Sequence, residues 1–230
     1  MNPLTFALKK NPPFKVDCRK LTPDKLKNLN TKQILEITLN NLTKVIDLFD
    51  ISGENFKQIV FANSNTQLDY IGHQMSHGNI IIQGDCGGFL GANMRGGHII
   101  CHGNTGDRVG DQMRRGLILI DGNAGDYCGS RMLAGTLGVY GGVGSYAGFG
   151  MMRGTILLTK SPTLHATIQD CGTHTLLFLA LLFKSFKPLS TPFNTIKNWR
   201  VQRYAGDFAC NGTGEILIFH SDISANHISD

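Results

Sequence analysis

A repeat of 19 residues in the middle of the sequence limits the possible folds more than any other feature. One glycine and one methionine recur at this interval, and the methionine stands three residues after the glycine. The glycines are Gly72, Gly91, Gly110, Gly129 and Gly148. The methionines are Met75, Met94, Met113, Met132 and Met151. A constant period of this length predicts stacked coils, in which equivalent residues lie above one another.

The residues between these columns predict strands. Each repeat holds a short run of aliphatic or β-branched residues, such as residues 80–82 or 155–158, which glycines bound and which is too short for a helix. Twenty-three of the 28 glycines lie between Gly72 and Gly154, as expected for a backbone that turns tightly several times in each coil. We therefore predict an all-β fold, a right-handed single-stranded β-helix or solenoid of about five coils.

Two columns are expected to fill the interior of this solenoid. One is aliphatic and consists of Ile80, Ile99, Ile118, Leu137 and Ile156. The other is the methionine column, because an unbranched thioether side chain adapts to irregular gaps in a core. A copper site would instead require exposed and convergent methionines, so core packing is the interpretation adopted.

The segment before the repeats, residues 1–70, is expected to form an N-terminal cap. Thr22-Pro23-Asp24 has the N-cap, first-turn proline and first-turn acid of a short helix. Residues 37–39 and 45–49 are predicted strands, and residues 59–70 resemble an imperfect first coil. The glycine solenoid itself is assigned to residues 71–160.

The segment after the repeats, residues 161–230, is expected to form a C-terminal cap. An apolar helix is predicted at residues 175–185, lying over the last coil, where it would protect an exposed strand edge. Residues 200–204 and 215–219 are predicted to form a strand pair around the turn Asn211-Gly212-Thr213-Gly214.

Composition argues against several classes of protein. The net charge of +5 is modest, and no basic run with interleaved aromatic residues points to a nucleic-acid binder. The most apolar run, residues 176–183, is far shorter than the roughly 20 residues of a membrane span. The first residues lack the apolar core of a signal peptide. None of the six cysteines forms a C-x-x-C pair, so we expect free thiols and a cytoplasmic protein.

Motifs that carry chemistry are weak in this sequence. His73 with His77, and His98 with His102, have the spacing of metal ligands on a helix, but the predicted local structure is a strand and a corner. Asp107 and Asp126 share a repeat column and are interpreted as solvated corner residues. We find no dinucleotide, phosphate-loop or nucleophile motif, so we predict no catalytic residue, no metal and no cofactor bound by this chain alone.

Arginines form the one pattern with a candidate binding role. Five of them lie between the first and second glycine columns, which would place them along one edge of the stack: Arg95, Arg114, Arg115, Arg131 and Arg153. A solvated corner near Asp111 is one interpretation. The other is a basic surface for a polyanion or for an acidic face of a partner, with binding that weakens as salt rises.

These residues resemble a known family. The glycine and methionine array is similar to the GXGXG solenoid domain, which is found in the third subunit of formylmethanofuran dehydrogenase and at the C-terminal end of the glutamate synthase large subunit. Residues 125–136 (GDYCGSRMLAGT) and 152–158 (MRGTILL) resemble the closing coils of that dehydrogenase subunit. The flanking residues 21–26 (LTPDKL) and 45–53 (VIDLFDISG) resemble it too, as does the tail from Gly206-Asp207 to Gly214-Glu215-Ile216-Leu217, so the resemblance covers nearly the whole chain.

The resemblance implies a structural, non-catalytic subunit of a multi-subunit enzyme of one-carbon metabolism. The flanks are most like those of the bacterial formyltransferase/hydrolase complex of methylotrophs, which moves a formyl group from tetrahydromethanopterin to a methanofuran-like carrier and releases formate. The implied partners are amidohydrolase-like and formyltransferase-like subunits and one further subunit. The carrier has a glutamate-containing tail, so the arginines are expected to hold that tail or an acidic face of a sister subunit.

Three other functions remain compatible with the sequence. The chain could be the GXGXG subunit of a tungsten or molybdenum formylmethanofuran dehydrogenase, in which case the complex would reduce carbon dioxide. It could be a spacer of the glutamate synthase type, although the long flanks argue against this. A solenoid acyltransferase is disfavoured, because that class uses six-residue rungs and a catalytic histidine, and no histidine column exists here.

Overall fold

The computed structural model describes residues 2–40 and 42–219. Most of the regular structure in this part of the chain is strand, and its helices are few and short. The dominant element is a large mixed sheet of 11 strands, and two small two-stranded sheets accompany it.

The strands and helices follow one another along the chain as follows. The strands are β1 (Pro3–Leu8), β2 (Val16–Asp17), β3 (Thr38–Asn40), β4 (Thr43–Lys44), β5 (Phe49–Ser52), β6 (Asn55–Ser64), β7 (Leu68–Asp69), β8 (Asn79–Gly84), β9 (Arg95–Cys101), β10 (Arg115–Ile120), β11 (Thr136–Val139), β12 (Thr155–Leu158), β13 (Gln169–Thr175), β14 (Arg200–Gly206) and β15 (Gly214–Phe219). The helices are α1 (Pro23–Leu26), α2 (Thr31–Leu35), α3 (Val45–Leu48) and α4 (Phe178–Phe186), and the 3₁₀ turns are η1 (Pro192–Thr195) and η2 (Phe208–Cys210). The strand order in the large sheet is β13-β14-β15-β12-β11-β10-β9-β8-β6-β1-β5, and the small sheets are β2-β7 and β3-β4.

The repeats stack in register at the centre of the sheet. Strands β8 to β12 are parallel, and their residues pair with residues 19 positions further along the chain, as in the pairs Ile80–Ile99 and Ile99–Ile118. The same offset relates Ile118 to Leu137 and Leu137 to Ile156. The exception is Arg95, which pairs with Arg115 beside a register shift at the start of β9 and β10. The period seen in the sequence is therefore the distance along the chain between hydrogen-bonded neighbours.

Both columns that were predicted to lie inside are completely buried. Ile80, Ile99, Ile118, Leu137 and Ile156 have no exposed surface, and neither do the five methionines. The strand pairing extends the aliphatic column beyond the repeats, to Ile59 and Leu4 at one end and to Ile216 at the other. The methionines are core residues, because no part of their side chains reaches solvent.

The glycine columns solve two different steric problems. Gly72, Gly91, Gly110, Gly129 and Gly148 all have a positive φ, between 62° and 73°, which is the left-handed conformation that glycine adopts at little cost. By contrast Gly106, Gly125 and Gly144 have no positive φ; a Cβ there would collide with the backbone of the preceding coil. These positions are glycine because adjacent coils approach each other closely.

Polar side chains reinforce the stack outside the core. Asp85 accepts a hydrogen bond from the backbone N–H of Asn104 at 2.7 Å, and Asn104 accepts one from Asn123 at 2.9 Å. A second column contains Asp107 and Asp126: Asp107 Oδ1 accepts from the N–H of Asp126, and Asp126 Oδ1 accepts from the next coil. Asp107 and Asp126 thus also pair adjacent coils, a role that the repeat pattern did not indicate.

Strands close the N-terminal end of the stack. Strand β6 pairs parallel to β8, with Ile59 opposite Ile80, so residues 59–70 do lie under the first coil, at an offset of 21 residues rather than 19. Strand β1 then pairs parallel to β6 and antiparallel to β5, the edge strand of the sheet.

The predicted strand at residues 45–49 is wrong for most of its length. Val45–Leu48 form helix α3, and only Phe49 belongs to a strand, β5. Asp47 accepts a hydrogen bond from the N–H of Lys44 at 2.7 Å, which stabilises the first turn of the helix. Val45 and Leu48 are buried three positions apart, which is the spacing of one helical face.

At the C-terminal end the predicted strand pair is present, but the helix lies elsewhere. Strands β14 and β15 are antiparallel, and β15 pairs parallel to β12 with Ile216 opposite Ile156. A strand, not the helix, therefore covers the last coil. Asp207, which is 1% exposed, ties this cap to the stack by accepting a hydrogen bond from the N–H of Gly150 at 2.9 Å.

Helix α4 packs on the outer face of the sheet instead. Its buried residues, Leu179, Phe183 and Phe186, form a second hydrophobic cluster with Leu119 and Leu157, which alternate along their strands with the inward column. The prediction failed because an apolar helix indicates burial but does not indicate which surface of the stack it covers. No helix in residues 2–40 and 42–219 is long and apolar enough to cross a membrane.

Because the methionine column is buried, we predict that removing a methionine of the column destabilises the protein far more than removing an exposed methionine. Met113→Ala should destabilise the protein by about 2–5 kcal/mol, because it removes a fully buried side chain and leaves a cavity between coils. Equilibrium unfolding in urea, followed by circular dichroism, measures the effect.

Met152→Ala is the matched control, because Met152 is 38% exposed and lies just outside the methionine column. Its free energy of unfolding should stay within about 0.5 kcal/mol of the wild type. Equal losses for the two variants would contradict the assignment of the column to the core.

Candidate interaction surface

The arginines project from the corner that follows the methionine column. The N–H of Arg95 donates to the carbonyl of Met75 at 2.7 Å, and the N–H of Arg114 donates to Met94 at 2.8 Å. These bonds fix Arg95 and Arg114 at equivalent places on successive coils. Arg115 follows Arg114 directly and pairs with Arg95 across strands β9 and β10. Three guanidinium groups therefore start from two adjacent coils, which are about 4.8 Å apart.

We call Arg95, Arg114, Arg115 and Arg153 the arginine edge. All four are exposed, and none of them has an ion pair or a side-chain hydrogen bond with the described residues. The coil between Arg115 and Arg153 carries Leu133 and Ala134 at these positions, so Arg153 stands about 10 Å along the stack from Arg115. The edge is thus a positive surface with no compensating carboxylate of its own among these contacts.

Arg131, the fifth predicted arginine, is placed differently. It lies in another repeat column, with Gln74, Asn93 and Gln112, and all four have left-handed backbones. Its guanidinium binds the carboxylate of Asp111 with two bonds, Nε to Oδ1 at 3.0 Å and Nη2 to Oδ2 at 2.6 Å. The structure therefore pairs Arg131 with Asp111, whose carboxylate also accepts from the hydroxyl of Ser130.

Asp111 is a structural residue. It is only 3% exposed, and the Arg131 and Ser130 side chains supply the donors that a buried carboxylate requires. The hydrogen bonds that Arg131 donates to Asp111 are the main cause that raises the pKa of Arg131, so this guanidinium stays charged. The pair holds one coil to the next by a charge-assisted, two-pronged contact.

The arginine edge continues into Ser76 and His77 on the first coil. These residues occupy the same columns as Arg95 and Arg115, and they contact Asp24 of helix α1. Asp24 Oδ2 accepts from the N–H of Ser76 at 2.9 Å, its Oδ1 accepts from the Ser76 hydroxyl, and His77 Nδ1 lies 2.9 Å from Oδ1. Alignment of the repeat columns would have shown Ser76 and His77 at the end of the edge, but the sequence did not indicate their partner.

Asp24 therefore has a second role besides the one predicted. It does lie in the first turn of a helix, and helix α1 begins at Pro23 as expected. The hydroxyl of Thr22 makes no capping bond; it is buried without a hydrogen-bond partner in the described structure. Burial by itself would raise the pKa of Asp24, but the hydrogen bonds from Ser76 and the nearby His77 outweigh it and lower that pKa below its usual value.

Titratable groups elsewhere show structural contacts. His102 Nδ1 lies 2.7 Å from Asp121 Oδ2, and no group of three histidine, cysteine or carboxylate side chains in the described residues is arranged to hold a metal ion. All six cysteines are free. Burial raises the pKa of the Cys128 thiol to about 12, so this sulfur is not a thiolate at neutral pH.

The Asp24 contact predicts a pH-dependent effect. The pKa of Asp24 is lower in the folded protein than in the unfolded chain, so its contribution is complete above the unfolded value of about 3.9 and disappears as pH falls through the folded value. Asp24→Asn should therefore cost about 1 kcal/mol at pH 7 and progressively less below about pH 4. Urea unfolding at a series of pH values measures this.

Glu54→Gln is a suitable control, because Glu54 is exposed and its carboxylate has no ion pair in the described chain. It removes the same charge and should change the free energy of unfolding by less than about 0.5 kcal/mol at every pH. A constant cost for Asp24→Asn from pH 7 to pH 3 would refute the ionised contact.

Comparison with solved structures relates this chain to an enzyme complex. No family model matches the sequence, and no curated protein matches it. Among solved structures, one chain of the crystal structure of the formyltransferase/hydrolase complex from Methylorubrum extorquens, determined with methylofuran bound, superposes with a TM-score of 0.64. The two sequences are 29% identical, and the match covers 94% of this chain and 100% of the other. The protein is thus related in sequence and in structure to a subunit of that complex.

Proposed function

We propose that this chain is a structural, non-catalytic subunit of a formyltransferase/hydrolase complex of one-carbon metabolism. The observation that carries the proposal is the match over the full length of a chain from such a complex, at 29% identity and a TM-score of 0.64. Full coverage matters because it includes the segments before and after the repeats. A spacer domain of the glutamate synthase type would account for the repeats alone.

The arrangement of the described residues supports a scaffold. Its interior consists of aliphatic, phenylalanine, methionine and cysteine side chains, and its most buried acids, Asp111 and Asp207, accept hydrogen bonds from groups within the fold. A subunit of this kind would offer its partners a rigid surface to bind. In this proposal the formyl transfer and hydrolysis take place on sister subunits that are amidohydrolase-like and formyltransferase-like, with one further subunit in the assembly.

We also propose the finer description of the fold that the family resemblance implies. Residues 71–160 form a right-handed GXGXG solenoid, the described residues before it cap its first coil, and residues 161–219 cap its last coil. The remainder of the predicted C-terminal cap, residues 220–230, lies outside the described residues. The constant 19-residue offset between β8 and β12 supports this, because each strand pairs with the equivalent strand of the next repeat. A right-handed path is the usual one for a chain that crosses between parallel strands.

The arginine edge is the proposed contact with an anionic group. Guanidinium groups that start about 4.8 Å apart on adjacent coils repel one another, and a polyanion or an acidic protein face would relieve this repulsion. Arginine also binds carboxylates with two parallel hydrogen bonds. The Methylorubrum extorquens complex was determined with methylofuran bound. The family resemblance implies a carrier with a glutamate-containing tail, so the edge would hold that tail or an acidic face of a sister subunit.

Purification of the tagged, full-length chain from its native cells tests membership of the complex. We expect an amidohydrolase-like and a formyltransferase-like protein to co-purify in fixed ratio, identified by mass spectrometry. A partner that contains tungsten or molybdenum would favour the dehydrogenase alternative, and an amidotransferase partner would favour the glutamate synthase alternative. Recovery of the chain alone, at low salt and without crosslinking, would refute the proposal.

Charge reversal tests the arginine edge. The double variant Arg114→Glu/Arg115→Glu should weaken assembly or carrier retention by about tenfold or more, because two attractive contacts become repulsive. In the wild type, rising ionic strength should weaken the same association progressively, because salt screens the guanidinium charges. Analytical size-exclusion chromatography measures assembly, and mass spectrometry of the purified complex measures the bound carrier.

Lys27→Glu/Lys32→Glu provides the matched control. Both lysines are exposed and have no ion pair in the described chain. Their substitution by glutamate changes the net charge by the same amount as the double arginine variant does. This variant should assemble and retain the carrier as the wild type does. If the arginine variant did the same at physiological salt, the edge would be only a solvated corner.

A further inference from the structure

A cavity of about 450 Å³ opens beside helix α4, far along the chain from the arginine edge. Its apolar lining includes Phe183, Ile196 and Trp199. The ring centroids of Phe183 and Trp199 are 5.0 Å apart, and those of Phe183 and Phe219 are 5.4 Å apart. These aromatic rings, which form the floor of the cavity, therefore belong to the second hydrophobic cluster. The cavity is large enough for one or two apolar side chains of another molecule.

Three lysines surround this apolar floor, and they are Lys184, Lys187 and Lys197. No acidic residue lines the cavity, and none of the three lysines has an ion pair within the described structure. Lys184 and Lys187 are near the end of α4, where positive charge is favourable for the helix. That explanation does not extend to Lys197, which lies after the 3₁₀ turn η1.

The exposed side of α4 continues the cavity as an apolar strip. Leu177 is 81% exposed, Leu181 is 74% exposed and Phe178 is 43% exposed. Leu181 lies one helical turn after Leu177 and one turn before Lys184, so aliphatic residues and then lysines follow one line along the helix. Two almost completely exposed leucines on one helix face are typical of a surface that binds another protein.

We propose that the cavity and the α4 strip together bind a segment of another protein that carries one or two apolar anchors followed by acidic residues. The anchors cover Leu177 and Leu181 and enter the cavity over Trp199, and the carboxylates meet the lysines at its rim. Charge complementarity selects this occupant, because a purely apolar partner would leave three unpaired lysines at the interface. This binding site is independent of the proposed function, since it uses only residues of the C-terminal part of the chain.

A library of random 12-residue peptides displayed on phage tests the site against the immobilised full-length protein. We expect enriched peptides to carry Leu, Ile, Phe or Trp next to several Asp or Glu. Synthetic copies should bind the wild type at least about tenfold more tightly than Lys184→Glu/Lys197→Glu, as measured by fluorescence anisotropy. Leu181→Ala should weaken binding by about threefold or more, because it removes apolar contact at the exposed strip.

The control is again Lys27→Glu/Lys32→Glu, which makes the same charge change elsewhere and should bind the peptides as the wild type does. The substituted residues are exposed, and circular dichroism spectra should show that every variant is folded. Enriched peptides without acidic residues, or peptides whose affinity is equal for wild type and Lys184→Glu/Lys197→Glu, would overturn the proposal. Hexaglutamate has no apolar anchor, so binding of hexaglutamate as tight as that of the enriched peptides would also overturn the proposal. A dimer of the protein that the substitution Leu181→Asp dissociates would overturn it too, because a second copy of the chain would then occupy the site.

Discussion

The fold depends on backbone hydrogen bonds between residues of successive repeats, which are 18 to 20 positions apart in the sequence. The N–H of Leu133 donates to the carbonyl of Met113, and that of Met152 donates to Met132, each at 2.8 Å. Such bonds form in series only if every coil turns through the same corners. The left-handed glycines from Gly72 to Gly148 supply one corner at the same place in each repeat. The methionine column then fills the space that the corners enclose.

The same constraint explains how surface charge is arranged. A side chain in a given column lies directly over its equivalent in the next coil. Like charges in one column therefore repel one another unless a group of the protein or of a partner binds them. Asp107 and Asp126 are compensated, because each carboxylate accepts an N–H from the next coil. Arg131 is compensated by Asp111. The four residues of the arginine edge have no comparable contact in the described chain, and this difference between columns makes the edge the best candidate for binding a partner.

Much of this architecture could be predicted from the sequence, since it is encoded in local repetition. The period, the buried aliphatic and methionine columns, helix α1 at Pro23 and the pairing of β14 with β15 all follow from spacing and turn residues. The strand predicted at residues 45–49 was wrong because a short apolar run, here interrupted only by Asp47, fits a helical turn as well as a strand. The position of α4 and the bond between Arg131 and Asp111 could not be predicted, because both depend on contacts between segments that no periodicity specifies.

The number of stacked repeats determines the length of the molecule along the stack. The two end caps are held apart by the intervening layers, so their separation changes in steps of about 4.8 Å with each layer gained or lost. Strand β5 lies at one end of the large sheet and β13 lies at the other, as its outermost strands. Duplication or deletion of one 19-residue unit would therefore leave each layer's surroundings intact while shifting the distance between anything bound at the two ends. The number of repeats therefore sets the distance between the two outermost strands of the sheet.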